Sequence, residues 1–267
     1  MNNFNKILKD IKTIKIQGAH NIALAGLKAL SYNNSKKSIK SLISARPTEP
    51  TLINAIKFSK ITDLETSKNY LVDSKKRVIE NATSLIKNGQ TIFTHCHSSS
   101  VIDTLKEAKK QGKKFKVLNT ETRPKYQGRI TSLELAKNKI KNEHYVDSGA
   151  DEALSKSDII LIGADMITPK GEIANKIGSE MIAKLAKLHK IPVYVITSAW
   201  KYSPKKLKIE QRNPRNIWNK KNKYIEIKNP TFEIINPEYI TKIVSGLGIY
   251  SPKKFVKKVK KTYFWIK

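Results

Sequence analysis

The only cysteine of the chain, Cys96, lies in the string Thr94-His95-Cys96-His97-Ser98-Ser99, where an apolar run gives way to a helical stretch. A thiol near a helix N-terminus is expected to ionise more readily, and the same helix end attracts an anion. Ser98, Ser99 and the exposed backbone N–H groups around them are suited to cradle a phosphate. Asp165 closes the run Ile160-Leu161-Ile162-Gly163-Ala164. A carboxylate at the end of a buried strand has a raised pKa and can hold or donate a proton. Cys96 and Asp165 are therefore expected to be an acid/base pair. The bland alternatives are a buried structural thiol and a helix-capping or loop aspartate. His95 and His97 suggest a metal set with Cys96, but three adjacent side chains of alternating direction converge poorly, so no metal site is expected. Asn175 and Lys176, read at the start of a later helix, offer an amide and an ammonium to an anionic ligand.

Arginine usage adds a second signal. Lysine supplies 46 of the 52 basic residues, and arginine occurs only at positions 46, 77, 123, 129, 212 and 215. Where lysine serves nearly every plain positive charge, a retained arginine points to a need for the planar, bidentate guanidinium. Arg46, in Ala45-Arg46-Pro47-Thr48 before a helix start, is the best phosphate candidate. Arg123 and Arg129, in Glu121-Thr122-Arg123-Pro124 and Gln127-Gly128-Arg129, suit a phosphate or carboxylate in the same way, and for Arg123 a structural bridge to Glu121 is an equally good reading.

The elements that must position these groups fall into two parts. Residues 1 to about 88 read as helical: Phe4, Ile7, Leu8, Ile11 and Ile14 keep helical spacing, Ile22 to Leu30 form a second set, Pro47–Phe58 a third, and Ile61–Lys87 one or two more. After Asn88-Gly89, short apolar runs alternate with helical stretches. Strands are expected at Thr91–Cys96, Phe115–Asn119, His144–Asp147, Ile159–Asp165 and Pro192–Ser198. Helices are expected near Ser99–Lys110, Ser132–Lys141, Asp151–Leu154 and Asn175–His189. Tyr224–Ile227 adds a strand and Pro237–Ser245 a closing helix. This alternation predicts an α/β fold with a parallel sheet, preceded by an all-helical domain, with the boundary between residues 88 and 89. In such sheets ligands bind beyond the carboxyl ends of the strands, where Cys96, Glu121, Asp147 and Asp165 fall.

Bulk properties narrow the class. No apolar run approaches the roughly 18 residues that span a bilayer, and the charged N-terminus resembles no export signal, so a cytoplasmic protein without a membrane partner is expected. One cysteine leaves no internal disulfide, consistent with a reducing compartment. The formal net charge of +30 fits either a nucleic-acid face or a genome-wide lysine bias. The lysines are scattered, apart from a dense C-terminal tail from Lys253 to Lys261, which favours the bias and makes a nucleic-acid partner the weaker expectation.

Several longer strings together resemble a known family: Gln17-Gly18-Ala19, ARPT at 45–48, THCHSS at 94–99, ETRPKYQGR at 121–129, VDS at 146–148, IGAD at 162–165, NKIG at 175–178, WKYSP at 200–204, Asn229-Pro230 and Pro237-Glu238-Tyr239-Ile240. They run in order from about residue 11 to 252. Together they look like the family of eukaryotic initiation factor 2B regulatory subunits, methylthioribose-1-phosphate isomerase and archaeal ribose-1,5-bisphosphate isomerase.

The resemblance implies a helical domain followed by a Rossmann-like domain, dimers through the latter, and for the ribose-bisphosphate branch a hexamer. The paired Cys96 and Asp165 resemble the isomerase branches rather than the initiation-factor subunits. The serines after Cys96 resemble the ribose 1,5-bisphosphate enzyme, which forms ribulose 1,5-bisphosphate in nucleoside monophosphate salvage. By resemblance, Cys96 accepts a proton and Asp165 donates one. Gly18, Ala19 and Arg46, with Gln17 in the position of the family's usual arginine, face phosphate from the helical side. Ser98, Ser99, Gln127, Asn175, Lys176 and Lys201 hold the sugar and the second phosphate. No cofactor is implied, whether the step is proton transfer through an enediolate or a hydride shift. The expected partners are a phosphorylated sugar and further copies of the chain. A translation-initiation regulator and a methylthioribose-1-phosphate isomerase are the alternatives. The segment between Gly18 and Arg46 is shorter than the family's usual one.

Overall fold

The computed structural model describes residues 2–205, 211–220 and 222–266. Five helices come first: α1 (Asn3–Lys12), α2 (Ala19–Tyr32), α3 (Lys36–Ala45), α4 (Pro50–Ser59) and α5 (Leu64–Thr83). Side-chain caps start three of them, since Asn2, Ser35 and Asp63 accept the N–H groups of Asn5, Ser38 and Thr66 at 3.1, 3.2 and 2.8 Å. Phe4, Ile11, Ile22, Leu30, Leu42, Leu52 and Ile56 form their shared core. The sequence reading passed over α3, although Ser35 caps it and Ile39, Leu42 and Ile43 keep helical spacing. Six of its ten residues are lysine or serine, which hid that stripe.

The remainder alternates strand and helix: β1 (Thr91–Thr94), α6 (Ser99–Lys110), β2 (Lys116–Thr120), α7 (Gln127–Lys137), β3 (Asn142–Tyr145), α8 (Ala150–Ser155) and β4 (Ile159–Ile162). Then come β5 (Met166–Ile167), β6 (Ile173–Lys176), α9 (Ser179–Leu188), β7 (Val193–Ile196), β8 (Phe232–Ile235), β9 (Lys242–Ser245), β10 (Gly248–Tyr250) and α10 (Pro252–Thr262). The main sheet has the order β10-β9-β7-β4-β1-β2-β3, parallel except for β10. Its central strands are apolar on both faces, as a parallel sheet covered by helices requires. From β1 the chain moves outward through β2 and β3, then returns to β4 on the other side. The switch in winding direction therefore lies between β1 and β4, with Phe93 paired to Ile160.

Four expectations are corrected. Tyr224–Ile227 is not a strand: Tyr224 and Ile225 are exposed and no neighbouring strand pairs with them. Pro237–Ser245 is not a helix. Asn236 caps a single turn at Pro237–Tyr239, and the β-branched run after it becomes β9 beside β7; a short apolar run carries too little periodicity to separate the two forms. Asn175 and Lys176 belong to β6, which pairs antiparallel with β8, and α9 begins only at Ser179. Finally, α7 starts at Gln127, five residues before the expected Ser132.

The helical layer is locked to the sheet near the turn at Ala199–Lys201 that follows β7. Fully buried Trp200 meets Phe58 of α4 and Tyr70 of α5 at ring-centroid distances of 5.3 and 5.6 Å, and Tyr263 at 5.9 Å. Asn54 of α4 donates its side-chain amide to the carbonyls of Trp200 and Tyr202 at 2.8 and 2.9 Å. Asn54→Ala removes both bonds and strands two buried carbonyls, so the variant is expected to unfold with about 2–3 kcal/mol less stability in urea titrations. A stability loss within about 0.5 kcal/mol would show that Asn54 does not fasten this turn.

Candidate active site

Cys96 follows β1 and Asp165 follows β4, so the switch point brings both to one edge of the sheet. Cys96 has a left-handed backbone with φ of 67°, uncommon for a residue with a side chain. Two threonines hold it there: its N–H donates to Thr122 Oγ1 at 3.0 Å, and its carbonyl accepts from Thr131 Oγ1 at 2.8 Å. Behind it, buried His95 bridges β2 to the end of β6. Its Nε2 lies 2.9 Å from the Ile177 carbonyl, which can only accept, so Nε2 carries the proton. Its Nδ1 then accepts from Thr120 Oγ1 at 2.6 Å. Burial lowers the His95 pKa and keeps the ring neutral. His97 Nδ1 is 3.1 Å from Thr131 Oγ1. Both histidines thus work as struts, and no cluster of three ligating side chains suited to a metal occurs among the described residues.

Two glycines permit the close approach. A Cβ on Gly163 would come within 2.6 Å of Ser98 Oγ. At Gly178 the φ of 98° favours glycine, and a Cβ there would lie 3.1 Å from His95 Nε2. The strings IGAD and NKIG are therefore shaped by packing against the Cys96 segment.

The electrostatics oppose one expectation. Burial pushes the Cys96 thiol up to about 11, outweighing the opposing pull of the Lys176 ammonium, while Asp165 and Asp147 raise it further. The helix-assisted lowering read from the sequence fails because α6 begins only at Ser99 and the thiol is desolvated. Burial also raises the Asp165 pKa, against Lys201, Lys176, Arg212 and Arg46, all of which favour its charged form. Lys176 is lowered by burial, with Cys96 and Asp165 pulling it back up.

Of the remaining expected residues, Lys201 reaches the Ala164 carbonyl beside Asp165. Asn175 donates to Ser179 Oγ at 3.0 Å, and the Lys176 ammonium lies 5.2 Å from the Phe232 ring centroid. Gln127 begins α7, its Oε1 buried without a hydrogen-bond partner. It lines a shallow surface cleft with Lys176, Arg212, Asn229 and Thr231. Ser98 is the N-cap residue of α6 with no capping side-chain bond, and Ser99 is the first helical residue. Gln17, Gly18 and Ala19 stand at the start of α2, and the one side-chain hydrogen bond there, from Asn21 to the Gln17 carbonyl, stays local. Their neighbour His20 feels the charges of Lys75 and Asp103, which sets this helix start near the first turns of α6. Arg46 ends α3 and faces Asp165.

Other candidates are structural. Asp147 accepts the N–H groups of Thr122 and Arg123 at 2.8 and 2.7 Å, fixing the loop that holds Cys96. Arg129, not Arg123, pairs with Glu121, at 2.8 Å. Two residues were missed. Arg212 carried the same signal of arginine scarcity that singled out Arg46. Glu49 precedes α4, its Oε1 is buried without a partner, and burial pushes its pKa up to about 7. Nothing in its sequence neighbourhood distinguished it from a helix-start glutamate.

A thiol and a carboxyl thus stand at the switch point of an α/β sheet, with Lys201, Lys176, Arg212 and Arg46 acting electrostatically on the carboxyl. The chain belongs to the Initiation factor 2 subunit family, which matches residues 11–252. It is 33% identical to ribose 1,5-bisphosphate isomerase of Pyrococcus furiosus, over 97% of this chain and 94% of that protein. It is 32% identical to ribose 1,5-bisphosphate isomerase of Thermococcus kodakarensis, with the same coverage of 97% and 94%. The structure of the translation initiation factor eIF-2B from Pyrococcus horikoshii is similar at a TM-score of 0.83 and 25% identity, covering 96% of this chain and 99% of that one. Among the described residues no helix is long and apolar enough to cross a membrane.

The elevated thiol pKa has a direct consequence. Because Cys96 is the sole cysteine, iodoacetamide labelling followed by mass spectrometry reads it alone. With a pKa near 11 its alkylation at about pH 8 is expected to be at least a hundredfold slower than that of an ordinary cysteine. Labelling as fast as free cysteine would overturn the assignment of a neutral thiol.

Proposed function

We propose that the chain is a sugar-phosphate aldose–ketose isomerase that converts ribose 1,5-bisphosphate to ribulose 1,5-bisphosphate, with Cys96 and Asp165 as its acid/base pair. The placement of these two residues after adjacent strands β1 and β4 carries the reading. The names of the archaeal relatives support the substrate. In this reading residues 1–88 form a helical domain that brings Arg46 towards the edge of the α/β domain, residues 89–267.

Neutral Asp165 gives its proton to the ring oxygen as the bond from that oxygen to C1 breaks, leaving a cationic C1 that is double-bonded to its phosphate-bearing oxygen. The Cys96 thiolate removes the proton from C2, which gives an enol with the phosphate still on the C1 oxygen; the C2 hydroxyl then returns a proton to Asp165 while the Cys96 thiol protonates C1. Atoms and charge balance, and both groups end in their starting forms. Burial favours the neutral carboxyl that this step needs at Asp165, and the Lys176 ammonium stabilises the thiolate. One phosphate fits the starts of α2 and α6 with Gly18, Ala19, Arg46, Ser98 and Ser99. Gln127, Asn175, Lys176, Lys201 and Arg212 then face the sugar and the other phosphate. The working form is proposed to be a homodimer or larger homo-oligomer. Ile130 and Leu133 of α7 and Val146 after β3 are exposed apolar groups that a second copy would cover.

A translation-initiation role is the second reading, favoured by the likeness to the Pyrococcus horikoshii factor. Incubation with ribose 1,5-bisphosphate separates the two. The unmodified protein is expected to form the ketose, and Cys96→Ser and Asp165→Asn each to lower kcat by about 10²-fold or more. Turnover no faster than in either variant, together with binding to initiation factor 2, would replace the enzyme by the regulator.

A further inference from the structure

Glu49 occupies an unusual position for a carboxyl. It is the N-cap residue of α4, yet its side chain makes no capping bond to that helix, the usual role of an acidic group there. Instead Oε1 is buried with no hydrogen-bond partner. The charged groups facing it come from three other elements: Arg46 from the end of α3, Lys201 from the turn after β7, and Asp165 from the end of β4. Thr51 of its own helix adds a hydroxyl. The same Arg46 and Lys201 also face Asp165, whose other cationic neighbours are Lys176 and Arg212. Glu49 thus shares the influence of Arg46 and Lys201 with Asp165.

A carboxylate in an anion pocket repels the ligand and competes for its cations. A neutral carboxyl does neither, and its O–H supplies a donor to an oxygen brought beside it. We infer that Glu49 couples the binding of a phosphate-bearing ligand to the uptake of one proton, so that its protonation state sets the affinity of the site. The inference rests on the phosphorylated-sugar reading above and adds the group that decides when the pocket accepts its anion.

The direction follows from the charges. In the free protein burial favours the neutral form and the two cations favour the charged form, balancing near pH 7. A ligand whose phosphate groups engage Arg46 and Lys201 removes their support and adds negative charge, so Glu49 is neutral in the complex. Below about pH 6 it is already protonated and affinity is insensitive to it. Above about pH 7 binding must draw a proton from solution, and apparent affinity falls towards tenfold per pH unit, as the competent fraction falls.

Titration calorimetry tests this in the Cys96→Ser protein, with or without Glu49→Gln, so that no substrate is consumed. Ribose 1,5-bisphosphate and inorganic phosphate are the probes, each in buffers of differing ionisation enthalpy at about pH 8. The phosphate's own ionisation is common to both proteins and cancels in the comparison. The protein with Glu49 is expected to take up close to one proton more than the Gln variant. Its affinity should also fall about tenfold further between about pH 6 and pH 8. Equal proton counts and equal pH slopes overturn the inference, as does failure of the Cys96→Ser protein to bind either probe. If Glu49→Gln does not fold, absence of proton uptake beyond that of the phosphate in the Glu49 protein overturns it equally. Failure of the isomerase reading is seen separately, as binding of inorganic phosphate with no turnover of ribose 1,5-bisphosphate by the unmodified chain.

Discussion

The reversal of winding between β1 and β4 is the constraint on which the site depends. Parallel neighbours that lead to helices on opposite sides leave an open crevice at their carboxyl ends. Cys96 and Asp165 fall at that edge because each follows the end of its strand within three residues. Two glycines bring backbone close to the Cys96 segment. Gly163 lets β4 end against Ser98, and Gly178 lets the β6 turn close on His95. His95, joined to Thr120 and the Ile177 carbonyl, fixes the spacing between the two sheets. The left-handed turn at Cys96 is held from outside by Thr122 and Thr131, and Thr122 is held in turn by Asp147. The thiol is aimed by a chain of short polar contacts that does no chemistry itself.

Desolvation explains the electrostatic character of the same place. Moving a charge out of water is costly, and burial drives Cys96, Asp165 and Lys176 towards their neutral forms. The thiol and Asp165 rise, and Lys176 falls. These shifts leave mutual attractions incompletely used, since Lys176 and the two acids still favour one another's charged forms. A bound anion completes that balance by giving the cations a partner. The cations around Asp165 are therefore electrostatically suited to a ligand carrying negative charge.

Much of this arrangement was legible in residue pattern. The alternation after Gly89 located β1, β2, β4 and β7 and hence the strand ends, because buried parallel strands are short apolar runs bounded by polar turns. The pattern failed where local sequence and tertiary pairing disagree. Asn175 and Lys176 read as a helix start, but Ile173 and Ala174 ahead of them pair with β8, and only the left-handed Gly178 allows α9 to begin. The run Ile240–Ser245 read as a helix because its partner β7 lies far away in sequence. The thiol pKa was misjudged for a similar reason: sequence exposes the nearness of a helix start, whereas burial depends on everything folded around it. Glu49 illustrates the limit, since its importance arises from residues 46, 165 and 201 meeting in space.

The arginines divide according to what their guanidinium groups meet. Arg129 lies 3.7 Å over the Tyr126 ring while pairing with Glu121, and Arg123 donates to the Tyr126 hydroxyl at 3.1 Å and the Ile217 carbonyl at 3.2 Å. Arg77 sits 5.6 Å from the Tyr70 ring centroid. These three use the flat, multiply donating face of the guanidinium within the protein, which lysine reproduces poorly. Arg46 and Arg212 differ, because both direct charge towards Asp165 in the crevice. Scarcity of arginine thus marks positions where geometry matters, and the fold divides those positions between scaffold and site. The lysines on the exposed face of α10, by contrast, lie opposite Phe255, Val256 and Val259, which are buried in the core. Most of the +30 charge is therefore surface solvation, whereas the part relevant to the anion is the small set of cations that burial has brought to the ends of β1 and β4.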